Sequence, residues 1–401
     1  MPGLNRRILL GSALVLPLLA LLAHMLVAPL LGLVALLMLL RDPGLLRRSW
    51  STRPWLLLGL LAFIGYGLLL TPLALEPGRS LHLMINIGLL VLTLTVLFGL
   101  NPDSATRQHL GQVLVIGMWL AIALFLVDHL LGYPLLQAYQ EGQGRHLNAS
   151  FYNRGNTALA MLLFPALLHL LGRRDYRHAL LLTLIVFAAN WSSESSAAWT
   201  SSLLGLVIAL LVCLGGRRVV LTLTLLTVII MLMLPFPLQR YSATLTSAQV
   251  LRQLPASWQH RLQIWTYTAA RIEDKPLLGW GPDSARAISR HLGQMEIRLY
   301  WPSGKVSRFQ GDPIPLHPHC GTLQLWLEFG GLGMLFLVAL IATIGWRISL
   351  LEGRLSMALA SGQLVTVLAI SNTAYGLWQF AWLGIILLAV LYTLLLIGKK
   401  G

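Results

Sequence analysis

The chain has 401 residues, of which 56% are hydrophobic and only 11% are charged, and its mean hydropathy is +0.73. A soluble globular protein carries about 25% charged residues, so this composition excludes a chain whose whole surface faces water. Two cysteines cannot form a disulfide framework. The formal net charge of +15 indicates anionic partners. In a chain this apolar, the basic residues are expected to set the membrane topology and to contact lipid head groups or phosphates, and not to bind nucleic acid.

The apolar runs predict an all-α integral membrane protein with about twelve transmembrane helices. The run that begins at Ile8 is followed almost at once by a second run, which favours a helical hairpin over a cleaved signal peptide. The predicted spans are 8–24, 25–40, 55–71, 82–100, 110–131, 156–171, 179–191, 197–214, 219–235, 322–346, 358–374 and 380–397. They divide the chain into residues 1–234 with nine spans, a long segment at 235–321, and residues 322–401 with the last three spans.

The distribution of lysine and arginine predicts which ends of these spans face the cytoplasm. With the amino terminus in the cytoplasm, the cytoplasmic ends carry sixteen basic residues and the short loops on the other side carry three. This bias is typical of cytoplasmic loops. It places both termini in the cytoplasm and the long segment on the other side. The sequence contains no nucleotide-binding fingerprint or P-loop, so we expect no direct use of ATP.

A polar stretch rich in glycine and amide side chains precedes the sixth predicted span. It contains Arg145, His146, Asn153 and Arg154. An arginine guanidinium binds two phosphate oxygens at once, and the start of a helix adds backbone N–H donors. The stretch therefore predicts a phosphate site at the membrane surface. An ordinary interfacial loop, with Arg154 reaching lipid head groups, is an equally weighted alternative.

A second polar stretch, Asn190–Trp199, joins two short apolar runs. It indicates a tight hairpin between helices, which is the interpretation we favour. Glu194 supplies the alternative, a polar cavity, because a carboxylate at membrane depth is costly unless it is paired.

The long segment contains an amphipathic helix that we predict from Trp258 to about Asp274. Trp258, Arg261, Trp265 and Thr268 fall on one face of this helix. Such a helix lies on a membrane with Arg261 directed at an anion. The alternative is that Arg261 is one more cation on a solvated surface.

The long segment ends in His317, Pro318, His319 and Cys320, at the start of the tenth predicted span. A histidine takes up a proton near physiological pH, so His319 is a candidate general base. In the span itself Gln324 and Glu328 lie four residues apart on one face, and a carboxylate inside a membrane is a functional candidate. A metal site is the less favoured alternative, because the segment is net positive and no second pair of ligands accompanies the histidines. A structural histidine at a helix start is the other alternative.

Taken in order, these residues resemble the O-antigen ligase family, within the wider group of O-antigen polymerases and protein O-oligosaccharyltransferases. The resemblance covers most of the chain in its helical architecture and is sharpest in four pieces of sequence: Arg261–Trp265, Lys275–Gly281, His317–His319 and Gln324–Gly333. Asn153–Gly155, before a span, is also similar to an earlier motif of the family. Two positions depart from the family pattern. The residue after the second histidine is commonly asparagine and is Cys320 here. The segment 193–195 often carries an arginine in the wider group and has none here.

The resemblance implies a GT-C-like inverting glycosyltransferase of lipopolysaccharide biosynthesis in the bacterial inner membrane, with its active site facing the periplasm. The donor would be undecaprenyl-diphosphate-linked O-antigen, and the acceptor a sugar hydroxyl of the lipid A–core oligosaccharide. No metal, nucleotide or other cofactor is expected. His319 would act as general base, and Arg261, helped by Arg154 and Arg145, would hold the diphosphate. The supporting residues would be His146, Asn153, Trp265, His317, Gln324 and Glu328.

Three rival functions share some of these features. A polymerase of the same superfamily uses the same chemistry and differs in its acceptor. A protein O-oligosaccharyltransferase is expected to carry a larger carboxy-terminal periplasmic part. A transporter of lipid-linked glycan is expected to show internal repeats or broken helices near the membrane midplane. Here the polar groups concentrate on one side of the membrane, which favours an enzyme at that surface.

Overall fold

The computed structural model describes residues 3–193 and 195–397, so Glu194 lies outside the described residues. The helices are α1 (Gly3–Leu22), α2 (Val27–Arg41), α3 (Gly44–Thr52), α4 (Pro54–Leu70), α5 (Pro77–Phe98), α6 (Ser104–Leu130), α7 (Pro134–Glu141), α8 (Tyr152–Gly172), α9 (Tyr176–Ser192), α10 (Ser196–Gly215), α11 (Arg217–Met233), α12 (Pro235–Arg240), α13 (Ser242–Leu245), α14 (Ala248–Leu251), α15 (Ala256–Asp274), α16 (Ala285–Leu292), α17 (Gly321–Ser349), α18 (Arg354–Ser371) and α19 (Phe380–Ile397). Two antiparallel strands, β1 (Met295–Tyr300) and β2 (Val306–Gly311), form a hairpin.

The prediction of an all-helical, multi-pass membrane protein is confirmed. Among the described residues, eleven helices are long and apolar enough to cross a membrane, against the prediction of about twelve. The predicted span at 179–191 corresponds to α9, which has only 17 residues. This helix nevertheless runs back along α8. The Asn156 side chain at the start of α8 donates to the Ala189 carbonyl (3.2 Å), and the Asn190 side chain at the end of α9 donates to the Asn156 carbonyl (3.3 Å).

The bundle is built around α8. Every residue from 155 to 168 in this helix is buried, and α1, α6, α9, α18 and α19 pack around it. Elsewhere small residues let helices approach closely, as expected where lipid removes the hydrophobic drive for association. At Gly205 of α10 a Cβ atom would lie 2.6 Å from the Gly362 carbonyl oxygen of α18.

The ends of the bundle form two faces, because successive membrane-crossing helices alternate in direction. We call the end that carries His24, the α4–α5 turn, residues 131–151, residues 241–320 and residues 372–379 the loop face. The other end is called the opposite face.

The loop face holds the predicted amphipathic helix, α15, which begins two residues before the predicted start. The structure also has a hairpin there that we did not predict. Two glutamines of α15 bind the free edge of β1 as a neighbouring strand would: Gln259 exchanges hydrogen bonds with the backbone of Tyr300 (2.8 Å each), and Gln263 with that of Arg298 (2.8 and 3.0 Å). The hairpin is therefore fastened to the helix that carries Arg261.

Candidate active site

Helix α15 presents Arg261 between two tryptophans. The guanidinium lies over the Trp258 ring, 5.5 Å from its centroid, and that ring meets Trp265 edge to face at 6.0 Å. Among the described residues no carboxylate pairs with Arg261. Partial burial lowers the pKa of Arg261 from its usual value, but a guanidinium remains charged at neutral pH. The site therefore contains a positioned cation that is available to an anion.

The two histidines form a turn against the same helix. The Trp265 indole N–H donates to the Pro318 carbonyl at 2.9 Å, which holds the turn on α15. The backbone N–H of His319 donates to Nδ1 of His317 (3.1 Å), and the two rings lie 4.3 Å apart. His319 has φ of 53°, a left-handed conformation that is uncommon for a non-glycine residue. Trp265 and His317 thus shape the turn that directs the His319 ring.

The surroundings keep both imidazoles neutral. Burial lowers the pKa of His317 to about 3, with help from the positive charges of Arg286 and Arg261. Burial and the charge of Arg261 also lower the pKa of His319, although a hydrogen bond to the backbone of Ala374 acts in the opposite direction. Nδ1 of His319 is buried and has no hydrogen-bond partner among the described residues. A neutral ring with an unshared nitrogen is the form that a general base requires.

The connection between α18 and α19, residues 372–379, joins the histidines to the start of α8. A Cβ atom on Gly376 would lie 2.9 Å from the His317 ring, so glycine is needed for this close approach. Tyr375 reaches the other way. Its hydroxyl is 3.0 Å from Oγ1 of Thr157 and 3.5 Å from the carbonyl oxygen of Asn153. Sequence reasoning missed this connection, although its only signal, a polar and aromatic break between two apolar runs, was present.

The structure brings two of the four residues that we predicted before the sixth span, Asn153 and Arg154, toward this connection. Arg154 is exposed, and its Nη1 donates to Nε2 of His24 at 3.4 Å. Beside it Asn153 is half-buried, with Oδ1 unpartnered among the described residues. His24 packs on Phe151 at 4.9 Å and was not predicted. The other two residues, Arg145 and His146, are exposed in the α7–α8 connection, and no contact among the described residues joins them to the histidines.

The side chains of Gln324 and Glu328 form hydrogen bonds with other groups of the protein. The buried Glu328 carboxylate accepts hydrogen bonds from the Trp378 indole, from Gln324 (3.1 Å), and from the backbone N–H groups of Asp283 (3.0 Å) and Ala285 (3.3 Å). Oε1 of Gln324 accepts from the backbone of Leu377 at 3.0 Å. The pair fastens α17 to the connection 372–379 and to the start of α16.

Two of the sequence pieces predicted separately form one interface. Helix α17 is broken at Gly330, where φ is 63° and ψ is −167°. Residues of the Lys275–Gly281 turn fill the break: Trp280 and Gly281 donate to the carbonyls of residues 327 and 328, and residues 331 and 332 donate to the carbonyls of residues 276 and 277, all at 2.8–3.2 Å. These non-local bonds satisfy backbone groups that a broken helix leaves open.

Cys320 is not suited to nucleophilic chemistry. Burial raises the pKa of its thiol to about 11, so the thiol stays protonated. Nor does it cap α17 with its side chain. Instead Oδ1 of Asn372 accepts from the Cys320 thiol (3.2 Å) and from the Thr322 backbone N–H (3.0 Å). An asparagine of the connection 372–379 thus performs the capping that an asparagine at position 320 would perform. Among the described residues no group of three His, Cys, Asp or Glu side chains is placed to hold a metal ion.

Residues 178–338 match the family model described as O-antigen ligase. Over this range the chain is similar to the O-antigen ligase family. The matched range contains α15, the histidine turn, Gln324 and Glu328, whereas Arg154 and the connection 372–379 lie outside it.

Curated proteins that are similar to this chain come from Rickettsia. A protein of Rickettsia conorii named "Putative polysaccharide ligase" is 26% identical over 277 residues, which are 69% of this chain and 64% of that protein. One of Rickettsia felis with the same description is 25% identical over 313 residues, 77% of this chain and 73% of the relative. The match to the R. conorii protein therefore spans less than two thirds of its length.

Proposed function

We propose that this protein is an O-antigen ligase. It transfers undecaprenyl-diphosphate-linked O-antigen to a sugar hydroxyl of the lipid A–core oligosaccharide, as a GT-C-like enzyme of the bacterial inner membrane. One observation carries the proposal. Among the described residues, the Nδ1 atom of a neutral His319 has no hydrogen-bond partner, and Arg261, which has no carboxylate partner there, lies on the helix that holds the histidine turn. Glycosyl transfer from a diphosphate needs a base for the acceptor and a cation for the leaving group.

The reaction proceeds in one displacement with inversion. The acceptor oxygen attacks the anomeric carbon of the donor while the bond from that carbon to the diphosphate oxygen breaks. His319 takes the hydroxyl proton on Nδ1, and undecaprenyl diphosphate leaves with the bonding electron pair. Arg261, together with Arg154, neutralises the charge that develops on the diphosphate. Proton transfer of this kind contributes about 10²–10⁴-fold in rate.

The remaining predicted residues take supporting roles. Trp265 and His317 hold the catalytic turn through the hydrogen bonds described above. Gln324 and Glu328 fix the elements around it. Asn153 lies next to Tyr375 and takes part in donor binding; its buried Oδ1 has no hydrogen-bond partner among the described residues. Arg145 and His146, exposed before α8, contact the glycan or the head group.

The experiment uses purified protein in detergent with a metal chelator, undecaprenyl-diphosphate glycan and lipid A–core. Glycan moves onto lipid A–core with wild type, and the transfer falls at least 100-fold in His319→Ala and Arg261→Ala. The control variants are His178→Ala and Arg308→Ala, which replace exposed residues of the same types outside the site.

Four outcomes contradict parts of this proposal. Transfer that survives both substitutions removes the catalytic assignments, and transfer that requires added metal removes the mechanism. Growth of undecaprenyl-linked chains without transfer to lipid A–core identifies a polymerase instead. Movement of intact donor across vesicles without a transfer product identifies a transporter.

A further inference from the structure

A polar cavity lies at the opposite face, far from the histidines. It has a volume of about 280 Å³ and is walled by the first turn of α1, the α2–α3 junction and the α5–α6 connection. These segments are the ends of helices whose other ends point to the loop face. Nothing in the proposed glycosyl transfer uses this cavity, and the inference below does not depend on that reaction.

The cavity contains a buried amide without partners. Asn5 is only 1% exposed and lines the cavity. Neither Oδ1 nor Nδ2 of Asn5 has a hydrogen-bond partner among the residues that the structure describes. Buried polar groups in proteins are almost always paired, so two open atoms on one side chain call for a ligand. That ligand must supply both a donor and an acceptor, because the amide has both.

Charged groups of both signs stand beside this amide. Arg48 forms an ion pair with Asp42 and donates from Nε to the Gly99 carbonyl at 3.3 Å. Its side chain is still 46% exposed. A guanidinium has five N–H donors, so several remain for an anion. The Asp42 carboxylate, 20% exposed, can accept from an ammonium or hydroxyl group.

The cavity lies where phospholipid head groups are found. Helix α3 joins two membrane-crossing helices and is amphipathic: Leu45 and Ser49 are buried, while Leu46 and Trp50 are exposed. Helices of this kind lie in the interface with their apolar residues toward the lipid. The helix is also fixed in place, since a Cβ atom on Gly99 would lie 2.1 Å from the Leu45 carbonyl oxygen. The wall of the cavity is therefore preformed.

We propose that this cavity binds the head group of a phospholipid that carries a phosphate together with an N–H or O–H donor. The phosphate receives hydrogen bonds from Arg48 and from Nδ2 of Asn5. The ammonium of ethanolamine, or a hydroxyl of glycerol, donates to Oδ1 of Asn5 and to Asp42. Choline has no such donor, so the site selects phosphatidylethanolamine and phosphatidylglycerol over phosphatidylcholine.

Thermal unfolding of delipidated protein in detergent tests this selection. Phosphatidylethanolamine or phosphatidylglycerol raises the Tm of wild type by roughly 3–6 °C, whereas phosphatidylcholine with the same acyl chains does not. In Asn5→Leu and in Arg48→Gln the difference between these lipids disappears. Asn86→Leu makes the same change in α5 away from the cavity and keeps the wild-type response. Native mass spectrometry counts one retained phosphatidylethanolamine or phosphatidylglycerol per chain in wild type and none in Asn5→Leu.

Free head groups separate a lipid site from a phosphate site. Glycerol 3-phosphate or inorganic phosphate that reproduces the whole rise in Tm overturns the assignment to a lipid. An equal response of wild type to phosphatidylcholine overturns the proposed donor requirement, even if neither variant folds. A wild-type response in both Asn5→Leu and Arg48→Gln shows that the lipids act elsewhere and overturns the site.

Discussion

At the residue scale, the proposed mechanism depends on the charge of Arg261 and on the protonation state of His319. Burial, together with that charge, lowers the pKa of the imidazole. The proposed base is active when neutral, so we expect activity to be lost as pH falls through this lowered pKa. The value of kcat/KM therefore stays high below pH 6.5, the ordinary pKa of histidine, because kcat/KM reports the free enzyme.

Removing the charge of Arg261 is expected to move the acid limb, the low-pH side of the kcat/KM profile. We expect the acid limb of the residual kcat/KM of Arg261→Gln to shift to higher pH, because the imidazole holds its proton more tightly without the neighbouring cation. Arg261→Lys keeps a positive charge and keeps the limb near its wild-type position. Transfer rates measured from pH 4.5 to 8 check this, and an unmoved limb in Arg261→Gln argues against His319 as the base.

A second residue-scale prediction concerns His24, which accepts a hydrogen bond from Arg154. We expect His24→Ala to raise KM for the proposed lipid-linked glycan substrate about tenfold, since a hydrogen bond to a charged group is worth roughly 1.5–3 kcal/mol. His82→Ala, an exposed histidine in α5, serves as the control. If His24 acts through Arg154, the double variant with Arg154→Ala is no worse than Arg154→Ala alone. Additive losses would contradict this coupling.

At the element scale, α17 depends on Asn372 for its cap. We expect Asn372→Ala to cost about 1 kcal/mol of stability, because the Thr322 N–H loses its acceptor. Adding Cys320→Asn restores a cap from within the helix and recovers most of the loss. Thermal unfolding of the single and double variants measures both effects, with a change in Tm of roughly 2–4 °C. If the double variant Asn372→Ala/Cys320→Asn is no more stable than Asn372→Ala, an asparagine at position 320 does not replace the lost cap and the prediction is wrong.

The helices and strands show which parts of the fold could be predicted from the sequence. Helix α15 and the position of His319 at the start of α17 were predictable, because helical spacing and local motifs encode them. The hairpin was not predicted, because each strand has only six residues and the edge of β1 is bound by glutamine side chains of α15. Nor was the connection 372–379, whose closeness to His317 follows from packing between segments far apart in sequence. Glu328 was noticed as a buried carboxylate, but its four donors come from three separate segments.

At the scale of the whole molecule, the arginine distribution predicts that the loop face is periplasmic. Ser303 in the hairpin turn and Ser51 at the end of α3 are exposed on opposite faces. In a Cys213→Ser background, we expect a membrane-impermeant maleimide to label Ser303→Cys in spheroplasts. Ser51→Cys should react only after the membrane is permeabilised. The reverse pattern would invert the topology.

The connection 372–379 also sets the time at which the site comes into existence. A ribosome delivers Arg154 and α8 first, α15 and His319 later, and Tyr375 and Gly376 only after α18. Until that last hairpin of helices inserts, nothing joins the start of α8 to the histidine turn. A nascent chain already anchored in the membrane therefore holds Arg154 apart from Arg261 and His319. The candidate site is incomplete until Tyr375 and Gly376 are in place.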